Sequence, residues 1–352
     1  MDSDLATVTT LPPLDQIGFG KVYGPKMIKA ETVDGKWTQW EMCDVERFQI
    51  HPGAKVLHYS QEVFEGMKAY KHGDQAVLFR PDSNIKRMSF SSEKLAMLPF
   101  PEDEFLLALK TIVAAHSDFI PEEPGSLYLR PTLIGTSTSL GVAPAEDYIF
   151  YILVSPVGGY FGSVNSDKPA TVRIRVAEEH VRAVRGGVGS AKTGGNYAAS
   201  LQILKKTRAE GFNDCLFLDA IERRYIEELS GMNVMIVEDG VLKTPPLSDT
   251  ILAGVTRDTL LKLAEVKGIA TQECLIDINE LFKGIQEGRV TEMFACGTAA
   301  VITSFESLTF KGQELKISNG QPGKVACELY QYLSDIHRGR VESPNSDWIV
   351  KI

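Results

Sequence analysis

The alternation of apolar and polar positions divides the chain into a strand-rich first part and a mixed second part. From residue 19 to about 79 short β-type runs dominate, with Gly35 and Gly73 at turn positions and residues 57–60, 67–70 and 76–79 as candidate strands. Asp82 or Ser83 can then cap a helix running to about Met97, closed by Pro99 and Pro101. A second helix is marked by Phe105, Leu106, Leu109, Ile112, Val113 and His116 at helical spacing, which makes His116 a boundary residue rather than a ligand. Residues 127–134 and 148–154 are mostly apolar, and the second run is long enough for a strand buried on both faces.

Residues 171–176 alternate strictly and predict a strand with Arg173 and Arg175 outward. Ala198, Leu201, Leu204 and Lys205 recur at helical intervals, so a helix is expected over about 196–209 with Gly211 as its stop. Residues 214–219 and 233–237 read as strands, and the turn at Asp239 and Gly240 folds the second into a hairpin with 241–243. Thr256 stands where an N-cap would open an amphipathic helix ending near Val266, before Gly268. Further strands are expected at 292–295 and on to Leu308. A Gly/Ser/Pro-rich stretch interrupts this pattern after residue 155. It suggests a smaller N-terminal α/β domain over 1–155, an interdomain linker over 156–169, and a larger C-terminal domain over 170–352, which suits a chain of 352 residues.

Composition acts mainly by exclusion. The formal net charge is −9 and no basic tract is present, which argues against nucleic acid or an anionic membrane as partner. Five cysteines are dispersed without a C-x-x-C pair, and six histidines are scattered. Neither a disulfide framework nor a metal site is expected, and a reducing cytoplasm fits. Residues 1–16 carry Asp2, Asp4 and Asp15 with no Lys or Arg ahead of an apolar core, so no signal peptide is read there. The longest apolar run, 149–154, is far too short to span a bilayer.

The stretch that carries chemistry is 186–200, where five glycines surround Lys192. Glycines at that density let the backbone turn tightly and let a flat ligand approach. No other charge lies between Arg185 and Lys205 along the chain. A lysine packed among Gly, Ala and Ser has few aqueous partners, so its amine becomes a better nucleophile, which points to Schiff-base chemistry. Residues 186–193 also approach the nucleotide-binding pattern G-x-x-x-x-G-K-[ST], but Ala191 replaces the second glycine and Gly194 and Gly195 would weaken the helix that must follow. A pyridoxal phosphate on a lysine needs an acidic partner for the ring nitrogen, a donor near the ring oxygen and a phosphate site. Glu228, Tyr197 and the helix start at Gly254, Val255 and Thr256 are candidates for each.

Taken together, several motifs resemble the branched-chain amino-acid aminotransferases of the fold-type-IV pyridoxal-phosphate class. They are Leu57-His-Tyr-Ser-Gln-Glu-Val-Phe-Glu-Gly-Met-Lys68, Phe79-Arg-Pro81, Tyr128-Leu-Arg-Pro-Thr-Leu-Ile-Gly-Thr136, Lys192-Thr-Gly-Gly-Asn-Tyr197, Glu228 to Asn233, Gly254-Val-Thr-Arg257 and Gly297-Thr-Ala299, in that order. The resemblance runs from Phe19 to about Val325 and implies a two-domain α/β (α+β) fold. It implies Lys192 as the Schiff-base lysine and proton carrier, Glu228 at the pyridine nitrogen and Tyr197 at the ring oxygen. Arg80, Val255, Thr256 and Thr298 would hold the phosphate. Phe64, Tyr128, Arg130, Tyr160 and Ala299 would line the substrate pocket, while Tyr59, Leu140 and Val142 would reach the pocket of a neighbouring subunit in a homodimer. The implied reaction exchanges the amino group between L-leucine, L-isoleucine or L-valine and 2-oxoglutarate, as in branched-chain amino-acid biosynthesis in the cytoplasm. A D-amino-acid transaminase or an aminodeoxychorismate lyase would share the fold. Two departures stand out: Ser230 and Gly231 look transposed relative to the family, and Ala300-Val-Ile-Thr303 replaces the redox C-x-x-C of vertebrate members.

Overall fold

The two long apolar runs pair with each other over ten residues, from Ser126 opposite Val157 to Gly135 opposite Tyr148. They form the spine of one of two nine-stranded sheets. The structure is a computed structural model and describes residues 7–158 and 168–352. It divides into two units. Among the described residues the first comprises 7–158 together with Ala191–Gly194 and His337–Ile352, and the second comprises 168–190 together with Gly195–Ile336.

In chain order the first part holds α1 (Leu14–Ile17), β1 (Lys26–Val33), β2 (Lys36–Trp37), β3 (Glu41–Asp44), α2 (Lys55–Tyr59), β4 (Glu62–Phe64), β5 (Met67–His72) and β6 (Gln75–Phe79). Then come α3 (Pro81–Lys94), α4 (Glu102–Ala115), β7 (Ser126–Gly135) and β8 (Tyr148–Val157). Every pairing in this sheet is antiparallel. The apolar face of α4, with Phe105, Leu109, Ile112 and Val113, closes the core. There Phe150 stacks on Phe100 at 4.0 Å and meets Phe105 edge-on at 4.9 Å. His116, at the end of α4, is buried more deeply than a boundary position. Its Nε2 accepts the Lys26 N–H at 3.3 Å, which leaves Nδ1 to donate to the Ile112 carbonyl at 2.8 Å.

The second part holds β9 (Ala170–Ala177), α5 (Gly194–Ala198), α6 (Leu201–Ala209), β10 (Asp214–Leu218), β11 (Ile226–Leu229), β12 (Asn233–Glu238) and β13 (Val241–Thr244). It continues through α7 (Val255–Val266), β14 (Thr271–Glu273), α8 (Ile278–Gln286), β15 (Val290–Gly297), β16 (Val301–Phe310), β17 (Gln313–Lys316), α9 (Lys324–His337) and β18 (Ile349–Lys351). β11 pairs with both β10 and β12, so the order β11-β10-β9-β16-β15-β12 closes into a six-stranded ring. Closure removes the exposed edges that an open sheet would have to protect. Val172, Ile174, Leu216, Val234, Ile236, Phe305 and Leu308 lie in its core.

The structure differs from the sequence expectations at several places. Residues 57–59 belong to a short helix, α2, with Ser60 at its C-cap, and not to a strand; a four-residue run is too short to separate the two periods. α3 begins at Pro81 and is preceded by Arg80 in the left-handed conformation, so Asp82 lies in the first turn rather than at the cap. The helix expected over 196–209 is broken between α5 and α6, where the Ser200 hydroxyl donates to the Tyr197 carbonyl at 2.8 Å. Gly254, not Thr256, is the N-cap of α7. Two stretches of the expected C-terminal domain group with the first unit instead, which makes that unit the longer one. The Phe64 N–H donates to the Lys192 carbonyl at 3.0 Å, and β18 adds to the edge of the first sheet beside β6.

Candidate active site

Lys192 is held at both of its backbone groups. Its N–H donates to the Ser91 hydroxyl at 2.9 Å, and its carbonyl accepts from Phe64. The ammonium lies 4.5 Å above the centre of the Phe64 ring. Along the chain Lys192 has no charged neighbour, but the fold brings charge to it from elsewhere. Both Glu62 and Glu65 feel its field, which draws their carboxyls downward. Glu65 is completely buried, and burial alone would push its carboxyl up. The Arg87 guanidinium reverses this: its Nε and Nη2 donate to the two carboxylate oxygens at 2.7 and 2.8 Å, Asn84 adds a bond at 2.8 Å, and the net shift is downward. Asn84, Arg87 and Ser91 recur at steps of three and four on α3, so one buried polar face of that helix serves both Glu65 and the Lys192 backbone. Arg87→Met should cost about 3–5 kcal/mol in thermal or denaturant unfolding, because it leaves Glu65 buried and unpaired. A loss below about 1 kcal/mol would show the pair to be dispensable.

Beside the lysine, Tyr128 and Arg130 stand two residues apart on β7 and point the same way. An Arg130 Nη2 donates to the Tyr128 hydroxyl at 2.9 Å, and the guanidinium lies 4.7 Å from the Phe64 ring centre. Tyr128 can stand there only because residue 66 is glycine: a Cβ on Gly66 would come within 2.0 Å of the tyrosine oxygen. Tyr59, Leu140 and Val142 form a separate exposed group, with 40%, 73% and 88% of their surface accessible. The Tyr59 hydroxyl donates to the Leu140 carbonyl, and the buried Lys55 ammonium donates to the Gly141 carbonyl, so this loop tip is held from below.

In the second unit, Glu228 is buried on β11 and bound on several sides. Arg182 pairs with it at 2.7 Å, Asn233 Nδ2 donates at 2.8 Å and the Leu252 N–H at 3.4 Å. Asn233 faces Gly254, where a Cβ would come within 2.0 Å of the Asn233 oxygen. Glu227, next along the strand, bonds a different partner, the Thr250 hydroxyl at 2.5 Å, and burial pushes its carboxyl up. Among the described residues no side chain caps the first turn of α7, which leaves its N–H groups at Val255 and Thr256 available to an anion. Thr298 and Ala299 lie in the tight turn between β15 and β16, where Gly297 pairs with Val301. Tyr197 lies on α5, with its ring 3.6 Å from the point a Cβ of Gly231 would occupy. In the first unit, Arg80 is buried, with its guanidinium 5.0 Å from the Trp348 ring centre and bonded to Ser83 at 3.2 Å. Tyr160 lies outside the described residues.

Residues 62–308 match the class IV amino-transferase family. The chain is 42% identical to "Branched-chain-amino-acid transaminase 1" of Bacillus subtilis (strain 168), over 97% of this chain and 96% of that one. The chain belongs to the branched-chain amino-acid aminotransferases. A branched-chain aminotransferase from T.th. solved with pyridoxamine 5'-phosphate has a TM-score of 0.76 at 26% identity, covering 92% of this chain and 97% of that one. The branched-chain aminotransferase of Escherichia coli gives 0.71 at 27% identity, covering 88% of this chain and 96% of that one. The fold is accordingly the two-domain type-IV aminotransferase architecture.

Family membership implies pyridoxal phosphate, and the residues present suit it. Two features of this chain do so without reference to any relative: the uncapped first turn of α7 and the buried, multiply bonded carboxylate of Glu228. The transposed Ser230 has a local explanation in this aminotransferase. Its hydroxyl donates at 2.9 Å to Asp214, a carboxyl that burial pushes up, and Gly231 is left beside Tyr197. Arg182, Ser91 and Glu62 are participants that sequence reading missed. Each is distant along the chain from the residue it bonds; Arg182 and Ser91 fall in none of the motifs, and Glu62 stands inside the 57–68 motif with nothing in its own stretch to single it out.

Proposed function

We propose that this chain exchanges the amino group between L-leucine, L-isoleucine or L-valine and 2-oxoglutarate, in the cytoplasm and as a homodimer. The observation that carries the reading is Lys192, bonded at both backbone groups and set over the Phe64 ring beside Tyr128 and Arg130. Bound pyridoxal phosphate supplies the electron-accepting ring that makes the substrate Cα–H acidic. Lys192 would be the attachment residue, and its amine, free once the substrate amine has replaced it, would take the Cα proton as general base and pass it to the cofactor's C4′ carbon. Glu228 would keep a proton at the pyridine nitrogen, and Tyr197 would donate to the ring oxygen. Arg80, Thr298 and the amides of Val255 and Thr256 would hold the phosphate. Phe64, Tyr128, Tyr160 and Ala299 provide the walls against which a branched side chain packs, and Arg130 serves a second carboxylate. The exposed apolar tip of Tyr59, Leu140 and Val142 supports a homodimer in which it meets the neighbouring subunit. Among the described residues no helix is long and apolar enough to cross a membrane.

A half-reaction panel followed by cofactor absorbance tests the reading. L-leucine, L-isoleucine, L-valine and L-glutamate should each convert the cofactor, and D-alanine should not. Preferential conversion by D-amino acids, or consumption of aminodeoxychorismate, would overturn it in favour of another activity on the same fold. Glu228→Gln should slow Cα-proton removal by roughly 10²-fold, the scale of one lost electrostatic contact at a reacting centre. A Glu227→Gln variant that loses more activity would reverse the assignment, since the two carboxylates have separate partners.

A further inference from the structure

The strand register sets several polar side chains of the first unit on one sheet face. β4 pairs with β7 so that Glu62 lies opposite Ile134 and Phe64 opposite Thr132. β7 pairs with β8 so that Thr132 lies opposite Tyr151 and Arg130 opposite Leu153. Paired residues and residues two apart share a face in an antiparallel sheet. Glu62, Phe64, Tyr128, Arg130, Thr132 and Tyr151 therefore stand together. The Phe64 ring holds two cations near it, Lys192 at 4.5 Å and Arg130 at 4.7 Å. Glu62 is the carboxylate on the same face, oriented by the Gly194 N–H, which donates to it at 2.7 Å.

We infer that Glu62 is a specificity-determining residue whose carboxylate balances the Arg130 charge while an apolar substrate occupies this face and opposes a second carboxylate when a dicarboxylic substrate arrives. The inference rests on the transaminase reading above and names the residue that makes its two substrate classes compatible. A leucine side chain displaces water from the guanidinium, and a desolvated charge without a counter-charge is costly. Glu62 supplies that counter-charge from a fixed position. When 2-oxoglutarate binds, its far carboxylate takes over the role and meets Glu62 as a like charge, which weakens the dicarboxylate relative to a face without Glu62. The electrostatics of the face run in the direction that this shared placement requires. Burial pushes the Glu62 carboxyl up, while Arg130 and Lys192 pull against it. Tyr151, raised chiefly by burial and bonded to Thr132, feels Glu62 and Arg130 in opposite senses.

The test separates charge from hydrogen bonding. Glu62→Gln keeps an oxygen for the Gly194 N–H and removes only the charge; Glu62→Ala removes both. Dissociation constants of glutarate and 4-methylpentanoate, read from cofactor absorbance, report the two substrate classes without turnover. In Glu62→Gln, glutarate should bind tighter and 4-methylpentanoate weaker, so that their ratio shifts roughly tenfold or more, the scale of one charged contact. The ratio of KM values for 2-oxoglutarate and 4-methyl-2-oxopentanoate should move the same way with kcat less affected. In an Arg130→Met background the effect of Glu62→Gln should disappear, since a coupling needs both partners. An unchanged ratio in Glu62→Gln, with Glu62→Ala impaired equally for both probes, would reduce Glu62 to a support for Gly194 and overturn the inference. A ratio shift that persists without Arg130 would overturn it too. A wild-type protein that binds neither probe and transaminates neither substrate would instead sink the function on which the inference stands.

Discussion

Replacing Lys192 with alanine should leave a folded protein that turns over no substrate, with a loss of at least about 10³-fold. General-base transfer alone accounts for roughly 10²–10⁴ of rate, and covalent attachment of the cofactor is lost with it. The fold should survive because the two bonds that fix this position, to Ser91 and Phe64, use backbone groups that alanine retains. What the side chain adds is charge over the Phe64 ring and near Glu62 and Glu65. Its removal therefore relieves the downward pull on both carboxyls rather than opening a hole in an apolar core. Borohydride should fix cofactor to the wild-type chain at residue 192 and not to the variant. Trapping at an unchanged rate in the variant would mean that another lysine carries the cofactor. A thermal transition lowered by more than a few degrees would show that the side chain, and not only the backbone, supports the glycine-rich turn.

What could be read from the sequence was mostly what repeats at a fixed period. The strict alternation at 171–176 and the long apolar runs at 127–134 and 148–154 became β9, β7 and β8, because alternation or sustained burial over many residues has one reading. Residues 57–60 failed for the opposite reason: one turn of helix and two β pleats look alike over four positions. The break between α5 and α6 depends on one Ser200 hydroxyl turning back on the Tyr197 carbonyl, a local competition that spacing cannot reveal. The return of residues 191–194 and 337–352 to the first unit was hidden as well, since it depends on pairings across more than a hundred residues, such as Phe64 with Lys192 and Phe79 with Ile349. α8 was legible and was passed over: Ile278, Leu281, Phe282 and Ile285 recur at helical spacing behind Asp277, which caps the helix through the Asn279 and Glu280 N–H groups.

The chemistry divides in the same way. Lys192, Tyr128 and Arg130 sit in short motifs of unusual composition, so resemblance alone could single them out. Their supports could not be found that way, because each support is an ordinary residue made special by its place. Ser91 is a mid-helix serine that becomes an acceptor for the Lys192 N–H. Arg182 is one of many arginines until the fold sets it against buried Glu228. Sequence also suggested an uncharged setting for Lys192, true of its chain neighbours and untrue of its neighbours in space. Amine reactivity argued from a stretch of Gly, Ala and Ser is thus incomplete until the strands that cross it are known.

Arg130→Ala should impair the 2-oxoglutarate half-reaction by roughly ten- to a thousandfold more than the leucine half-reaction, the span of about 1.4 to 4 kcal/mol for one lost charged contact. The two substrates differ in what they bring to the same face. Leucine brings only apolar surface, for which Phe64 and Tyr128 suffice. Glutamate brings a second carboxylate, whose burial without a partner would cost several kcal/mol. On the proposed reading Arg130 meets it: the Tyr128 hydroxyl and the two rings hold the guanidinium. A planar fork held in place loses little freedom on taking a carboxylate in two parallel bonds. Arg130→Lys should therefore recover only part of the lost selectivity, since an ammonium keeps the charge but not the fork. Leucine should not escape entirely, because the guanidinium also covers the Phe64 ring and its loss loosens that wall. The discriminating measurement is the pair of single-turnover rates, with 2-oxoglutarate on the aminated form and with L-leucine on the aldehyde form of the same preparation. Equal losses for the two substrates, with a matching drop in thermal stability, would make Arg130 a brace for β7 before Pro131 and nothing more.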